Sequence, residues 1–488
     1  YVEKLIKDLT QLLPGVPIIL GGPQAVSLVD LSAQCTVVIG EMEGIGEAFY
    51  HDLRSGNLKP LYQAQPSRSF PSPYQQDDFQ RHLQNRQIYY ESSRGCPFSC
   101  SYCLSSVFKG VRQKSLDLVR QELSEILAAE PMIIKFVDRT FNDNPERALA
   151  IWEFLLGYSV RCHFEIAPDR FTEAMFASLA AIPCGRFQFE IGIQSCNPKV
   201  LQAIKRQMDV EQAEQNIQRL LALNTIHIHV DLILGLPYET EESFQASFNR
   251  VFALLPHHIQ LGLLKVLPGT EMEERAEEFG LIYCAAPPYE VLATKWLDHA
   301  ALSDLYAFCE CVEAFYSNRF FRSIWQYLQR DVQQDPTQPD QGAEEPYGFF
   351  RDLLALCRRR AFFQLARTQK LMTSLLVELA GQRQDRALLL DLLRYDWLRC
   401  GHRFLPEELT LKTQPEIRNR LRQELPQSLE GVFTADSRME LLKKSSFLEL
   451  SAEAAQVLGL GDSPVVVAFL PEQTDGLMRF NRAVVLLR

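Results

Sequence analysis

Between residue 88 and about residue 290, six strand-like segments alternate with helical ones, beginning near Ile88, Met132, Cys162, Phe187, Ile226 and Ile259. Strands separated by helix-length connections pair in parallel. Six such units predict a partial (βα)6 barrel, with any reactive site at the carboxyl ends of the strands. The fourth and fifth segments alternate cleanly. FQFEIGIQS sets Phe187, Phe189, Ile191 and Ile193 opposite Gln188, Glu190, Gly192 and Gln194. IHIHVDLILGLP sets Ile226, Ile228, Val230, Leu232 and Leu234 opposite His227, His229 and Asp231. The apolar faces are expected on the helices and the polar faces in the lumen. A barrel interior that serves structure alone is filled with branched apolar side chains. Carboxylates, amides and imidazoles in that place point to chemistry, most strongly at Glu190. For His227 and His229 the expectation is that the polar groups satisfy one another.

Directly after the first strand, SRGCPFSCSYC places Cys96, Cys100 and Cys103 at spacing CxxxCxxC on a loop tightened by Gly95 and Pro97. Three thiolates on one short loop can hold three irons of a four-iron cluster and leave the fourth open to another ligand. A structural zinc site normally takes four protein ligands, and no fourth Cys or His lies nearby in sequence.

The spacing, with an aromatic before the third cysteine, resembles the signature of the radical S-adenosylmethionine (SAM) superfamily. The resemblance implies that Cys96, Cys100 and Cys103 hold a catalytic [4Fe–4S] cluster, that SAM binds its open iron, and that Tyr102 lies against the adenine. EIGIQS followed by LQAIKR resembles the stretch that contacts the ribose and methionine portions of SAM, with Glu190 and Arg206 at the matching positions. A guanidinium fork suits a methionine carboxylate. KFVDRTFN stands where the family places an amine contact, with Asp138-Arg139-Thr140 in place of a Gly-Gly-Glu-like turn; Asp138 is the candidate there and Arg170 a weaker one. DLILGLP and KVLPGT resemble the fifth- and sixth-strand motifs, which touch adenine through backbone at Gly235 and Gly269.

Residues 1–62 read as helix, strand, loop, strand, helix, with strands at Val16–Leu20 and Cys35–Ile39. PIILGGP and VVIGEMEG resemble the second half of a Rossmann-like cobalamin-binding domain, and Gly21, Gly22, Gly40 and Glu41 match its ligand-facing positions. The usual Gly-Glu-Gly-Glu is here Gly40-Glu41-Met42-Glu43. The start, YVEKLIKDLT, reads like the middle of an amphipathic helix, and an upstream portion of the lobe is expected. Residues 63–87, with Pro71–Tyr74, read as a linker. Beyond 290 the spacing of Leu302, Leu305, Phe308, Val312, Phe315 and Tyr316 is helical. A polar stretch over 331–346 divides two helical blocks, and short strands are expected at Phe447–Leu450, Val465–Leu470 and Ala483–Leu487. This mainly helical region resembles an uncharacterised extension of one cobalamin-binding subgroup.

The chain of 488 residues carries 50 basic and 61 acidic side chains, a net charge of −11, which argues against a broad nucleic-acid surface. No apolar run is long enough to span a bilayer. Twelve cysteines, scattered apart from the one cluster, suit a reducing cytoplasm. The resemblance implies a small-molecule substrate, an electron donor such as flavodoxin or ferredoxin, and radical chemistry at an unactivated carbon. With cobalamin as second cofactor the outcome is carbon methylation, or a related cyclisation or oxidation. Competing readings are a transfer-RNA methylthiotransferase, which needs a second cysteine trio and a basic RNA-binding domain, and a non-catalytic cluster or cobalamin sensor.

Overall fold

The computed structural model describes residues 2–67, 69–107, 110–333, 345–411, 414–425, 438–473, 477 and 480–487. The polar divider expected at 331–346 falls largely outside them. The amino-terminal lobe is a three-stranded parallel sheet in the order β1 (Ile19–Leu20), β2 (Thr36–Ile39), β3 (Leu61–Gln63). β1 is shorter than the expected Val16–Leu20. β3 was not anticipated, because three residues give no periodicity to read. The expected linker carries a helix, Gln76–Arg81, whose Gln75 and Asp78 form a capping box.

Next come β4 (Gln87–Tyr90), then an antiparallel hairpin of β5 (Ser93–Cys96) and β6 (Gly110–Gln113). β7 (Ile133–Phe136), β8 (Arg161–Ile166), β9 (Phe187–Gln194), β10 (His227–Leu234) and β11 (His258–Leu263) follow. β4 and β7 to β11 form one parallel sheet in the order β11-β10-β9-β8-β7-β4, the open six-unit barrel expected from sequence. The intervening helices Leu116–Ala128, Pro145–Leu156, Glu173–Ala180, Val210–Leu223 and Glu241–Leu254 start at Ser115, Asn144, Thr172, Asp209 and Thr240. Each of these five side chains accepts a hydrogen bond from a backbone N–H in the first turn. Such caps contribute about 1 kcal/mol apiece.

β9 and β10 bury alternate residues, and the buried set is the apolar one. Phe136, Phe164 and Phe189 pack beneath Trp152 in a continuous aromatic layer outside the sheet. The helix covering β11 is His299–Phe315, so the sixth unit closes beyond residue 290. Pro346–Arg359 packs on it and on Glu241–Leu254 through Phe248, Phe308, Tyr347 and Phe350. Barrel and extension therefore share one hydrophobic core. A hairpin of β12 (Ile282–Tyr283) and β13 (Val291–Ala293) precedes the extension, and an antiparallel sheet of β14 (Ser446–Leu450), β15 (Val465–Gln473) and β16 (Asn481–Leu487) closes it. These last three strands lie where the sequence placed them.

Glu239, in the loop after β10, is fully buried; its Oε1 accepts from Ser195 Oγ at 3.1 Å, and its Oε2 meets no protein donor. Burial pushes its carboxyl up to about 8, from an ordinary value of 4.5. A raised carboxyl stabilises the fold fully below its unfolded value, and that contribution is lost as pH rises through the folded one. The melting temperature of the parent should therefore fall relative to Glu239→Gln between about pH 5 and about pH 9. Parallel pH profiles for the two proteins would show that this carboxyl does not load the fold.

Candidate active site

The cysteine loop is held by backbone contacts and by the Ser106 side chain. Gly95 has φ +99°, and a Cβ there would lie 2.1 Å from the Gly110 carbonyl oxygen, so only glycine lets the hairpin close beside Cys96. Ser101 N donates to Ile204 O at 2.9 Å, and Met272 N donates to Ser101 O at 2.8 Å, tying the loop to the far side of the barrel end. Ser106 Oγ donates to the carbonyls of Cys100 and Cys103 at 2.9 and 2.7 Å. Cys96, Cys100 and Cys103 share one small apolar cluster with Phe98, Tyr102 and Ala167. Burial pushes the Cys96 thiol up, and the two neighbouring cysteines add to the effect. Thr140 Oγ1 lies 3.6 Å from Cys96 Sγ. The sequence-predicted trio is thus brought together at the carboxyl end of the barrel, and none of the twelve cysteines is in a disulfide.

Arg206 reaches this cluster from below. Its Nη1 lies 3.9 Å from Cys100 Sγ, its Nη2 donates to Gly192 O, and its Nε is buried without a protein partner. Phe98 lies under it, 5.4 Å from guanidinium to ring centroid. A Cβ at Gly192 would meet the Gln194 amide at 2.1 Å, so the bare backbone there lets Gln194 and Arg206 crowd one spot. The buried Gln194 Oε1 and Asp231 Oδ1 also lack protein partners. Burial, with the charges of Glu190 and Glu165 close by, pushes the Asp231 carboxyl well above the usual carboxylate range. Glu190 sits 2.9 Å from His163 Nε2 and 3.7 Å from Lys135 Nζ, and the His163 hydrogen bond holds its carboxyl low. Buried polar atoms without partners are rare, and their grouping beneath three thiols marks a ligand-facing surface. The donor set suits a [4Fe–4S] cluster with a zwitterionic, polar ligand beside it.

The other predicted residues divide. Tyr102 packs in the cysteine cluster, and burial pushes its hydroxyl up. Asp138 does not face the lumen with a free carboxylate: Ser92 N, Ser92 Oγ and Ser93 Oγ donate to its two oxygens at 3.0, 2.6 and 2.6 Å, so it locks β5 to the β7 loop. Gly235, at φ +85°, is demanded by packing, since a Cβ would come within 2.7 Å of Val291. Gly269 N donates to Glu273 Oε2, closing a local turn. Arg170 pairs with Asp143 and stacks 4.5 Å from the centre of Phe98. Glu165 and Lys135 were missed, although Arg161–Ile166 shows the same alternation as β9, with Cys162, Phe164 and Ile166 opposite His163 and Glu165.

In the lobe, Gly21, Gly22 and Gly40 line the carboxyl ends of β1 and β2; Gly22 and Gly40 have positive φ, and nothing stands within 4 Å of a Cβ at Gly22. Glu41 is already engaged. Both its oxygens accept from Arg112, and Arg94 Nη1 lies 3.2 Å away. The Arg112 hydrogen bond holds the Glu41 carboxyl low. Arg94 also pairs with Glu43 at 3.1 Å and Glu91 at 2.7 Å. The glycine edge of the lobe is thereby pinned to the same hairpin that ends in Cys96.

A three-cysteine loop at the carboxyl end of a six-strand parallel barrel, over a polar lumen, defines the radical SAM enzymes. The chain carries a domain of that superfamily: residues 90–251 match the family described as "Radical SAM superfamily", and residues 277–453 match "Protein of unknown function (DUF4080)". The chain is 26% identical over 282 residues to bacteriochlorophyllide d C-12(1)-methyltransferase of Chlorobaculum tepidum, covering 54% of this chain and 62% of that protein. It is 25% identical to the cobalamin-dependent radical SAM methyltransferase TokK of Streptomyces tokunonensis, covering 50% of this chain and 39% of that protein. A structure of the radical SAM methyltransferase TsrM from Kitasatospora setae, with cobalamin and a [4Fe–4S] cluster bound, aligns over 60% of this chain and 64% of that one at 18% identity and a TM-score of 0.45. The chain spans less than two thirds of the length of each of these proteins. No helix among the described residues is long and apolar enough to cross a membrane.

Removing the Glu41 carboxylate leaves Arg112 with only the Ser67 carbonyl. The pair is about a quarter exposed and bidentate, so Glu41→Ala should lower global stability by no more than about 1 to 2 kcal/mol. It should also speed amide exchange in β5, read by hydrogen–deuterium exchange. Unchanged exchange there would show that the lobe is anchored elsewhere.

Proposed function

We propose that this protein is a cobalamin-assisted radical SAM enzyme that modifies an unactivated carbon of a small molecule, most simply by methylation. The observation that carries the proposal is the column of partnerless buried polar atoms on Gln194, Arg206 and Asp231, set directly beneath Cys96, Cys100 and Cys103. Cys96, Cys100 and Cys103 would hold a [4Fe–4S] cluster, and the chemistry it would supply is one-electron reductive cleavage of SAM. Arg206 offers a desolvated guanidinium to the methionine carboxylate, and Tyr102 an apolar wall to the adenine. Glu190 and Asp231 flank the lumen below, where Asp231 favours the protonated acid and Glu190 the carboxylate. Together they can donate to and accept from a substrate held between them. Cobalamin in the lobe would supply a methyl carrier, and the glycine edge beside the Cys96 hairpin supports placing it there.

Anaerobic reconstitution with iron and sulfide, followed by dithionite and SAM, should yield 5′-deoxyadenosine. Cys96→Ala should lower the yield by at least ~100-fold, since the cluster then loses one of its three ligands. Equal yields from parent and variant would overturn the radical assignment. Arg206→Lys should weaken SAM binding about tenfold while keeping the cluster absorbance, because an ammonium cannot replace the fork that holds Gly192. If added hydroxocobalamin does not co-elute with the protein, the second cofactor falls and the first stands.

A further inference from the structure

The loop that leaves β7 runs Val137-Asp138-Arg139-Thr140-Phe141-Asn142, and its alternate residues Asp138, Thr140 and Asn142 are polar yet 1%, 8% and 0% exposed. Burying polar side chains costs free energy unless each one is engaged. Here each is engaged by an element of the cysteine site. Asp138 takes its three hydrogen bonds from Ser92 and Ser93, where β5 begins. Asn142 Nδ2 donates to the Ala167 carbonyl and Asn142 Oδ1 accepts from the Ala167 N–H, both at 2.8 Å, and Ala167 packs against the cysteines. Between them Thr140 Oγ1 lies 3.6 Å from Cys96 Sγ, where β5 ends. Arg147, buried on the helix after this loop, adds a further hold. Its Nη1 donates to Lys114 O at 2.7 Å and its Nη2 to Ser92 O at 3.0 Å, joining the two legs of the hairpin at its base.

Held on both sides in this way, the loop leaves the Thr140 hydroxyl little freedom to move away from Cys96. Thr140 Oγ1 also donates to the Arg139 carbonyl at 2.8 Å. A hydroxyl carries one proton and two lone pairs, so beside a protonated thiol it can donate to that carbonyl and accept from the sulfur. A thiolate that ligates iron has no proton to give. The hydroxyl then faces an anion on one side and a neutral carbonyl on the other, and hydrogen bonds to ionised acceptors are roughly twice as strong. Its proton turns to the sulfur. Hydrogen bonds to the ligating sulfurs are among the factors that set an iron–sulfur potential. Reduction adds one electron and breaks no bond, so a donor at Cys96 stabilises the more negative, reduced form above the oxidised one.

We infer that Thr140 is a positioning residue of the cluster site: held in place through Asp138 and Asn142, its hydroxyl donates to the Cys96 thiolate and raises the potential at which a [4Fe–4S] cluster there accepts its electron. This rests on the cluster of the proposed radical enzyme. The test is an anaerobic redox titration of the reconstituted holoenzyme with dithionite and mediator dyes, read by the electron paramagnetic resonance signal of the reduced cluster. Thr140→Val keeps the shape of the side chain and removes the donor. It should make the cluster about tenfold harder to reduce, a fall in midpoint potential of about 59 mV for one electron. Thr140→Ser, which returns the hydroxyl without the methyl, should restore the parental potential. Thr140→Ala should match the valine variant, so the outcome does not hang on one substitution folding. Parental potential in both the valine and the alanine variants overturns the inference. A fall that serine fails to reverse overturns it too, because packing and not the hydroxyl would then set the potential. Assaying 5′-deoxyadenosine on the same parent preparation separates the two claims. A parent that cleaves SAM while its valine variant keeps the parental potential loses the hydrogen bond and leaves the radical assignment, whereas a parent that takes up no cluster loses both.

Discussion

Everything in this barrel depends on the strict two-residue alternation of β9 and β10, with Phe187, Phe189 and Ile191 of one and Ile228, Val230 and Leu232 of the other turned outward. A slip of one residue in register would turn every one of these side chains into the lumen. The aromatic layer around Trp152 and Phe164 makes that slip prohibitive, because fully burying each large side chain is worth roughly 1.5 to 3 kcal/mol. The outward packing thus obliges Gln188, Glu190, Gly192 and Gln194 to face inward. Chemistry at the lumen is in this sense a by-product of a hydrophobic layer that never touches it.

Inward-facing polar groups must be paired, solvated or aimed at a ligand. Midway along the lumen they are paired, as Glu190 is with His163 and Lys135, and Glu165 with Arg139 at 3.6 Å. At the two ends they are not. At the cysteine end Arg206 Nε, Gln194 Oε1 and Asp231 Oδ1 have no hydrogen-bond partner among the described residues, and at the other end neither ring nitrogen of His227 has one. Unpartnered buried atoms also occur elsewhere, on Glu239, Trp325, Gln369 and Thr373, so it is their nearness to the cysteines that singles out Gln194, Arg206 and Asp231.

How far this was legible follows from the range of the signal. Periodicity is local, so the six strands, their order of faces and the cysteine loop could be read from the chain directly. Loop engagement is not local. Asp138 looked like a ligand contact because its position in the chain suited one, yet Ser92 and Ser93, 46 and 45 residues earlier, already fill its carboxylate. Glu41 looked like part of a cofactor edge, and Arg112, 71 residues later, takes both its oxygens. Of the two histidines expected to find lumen partners, His229 meets Gln188 at 3.1 Å, whereas neither ring nitrogen of His227 has a hydrogen-bond partner among the described residues.

The extension and the lobe act on the barrel from opposite ends by different means. The lobe is held through charge, with Glu41 and Glu43 on Arg94 and Arg112 of the cysteine hairpin, so its glycine edge is placed without a large shared core. The extension is held through shape, with Phe308, Tyr347 and Phe350 merged into the barrel's own core. A polar seam of partly exposed ion pairs can open at smaller cost than a fused aromatic core.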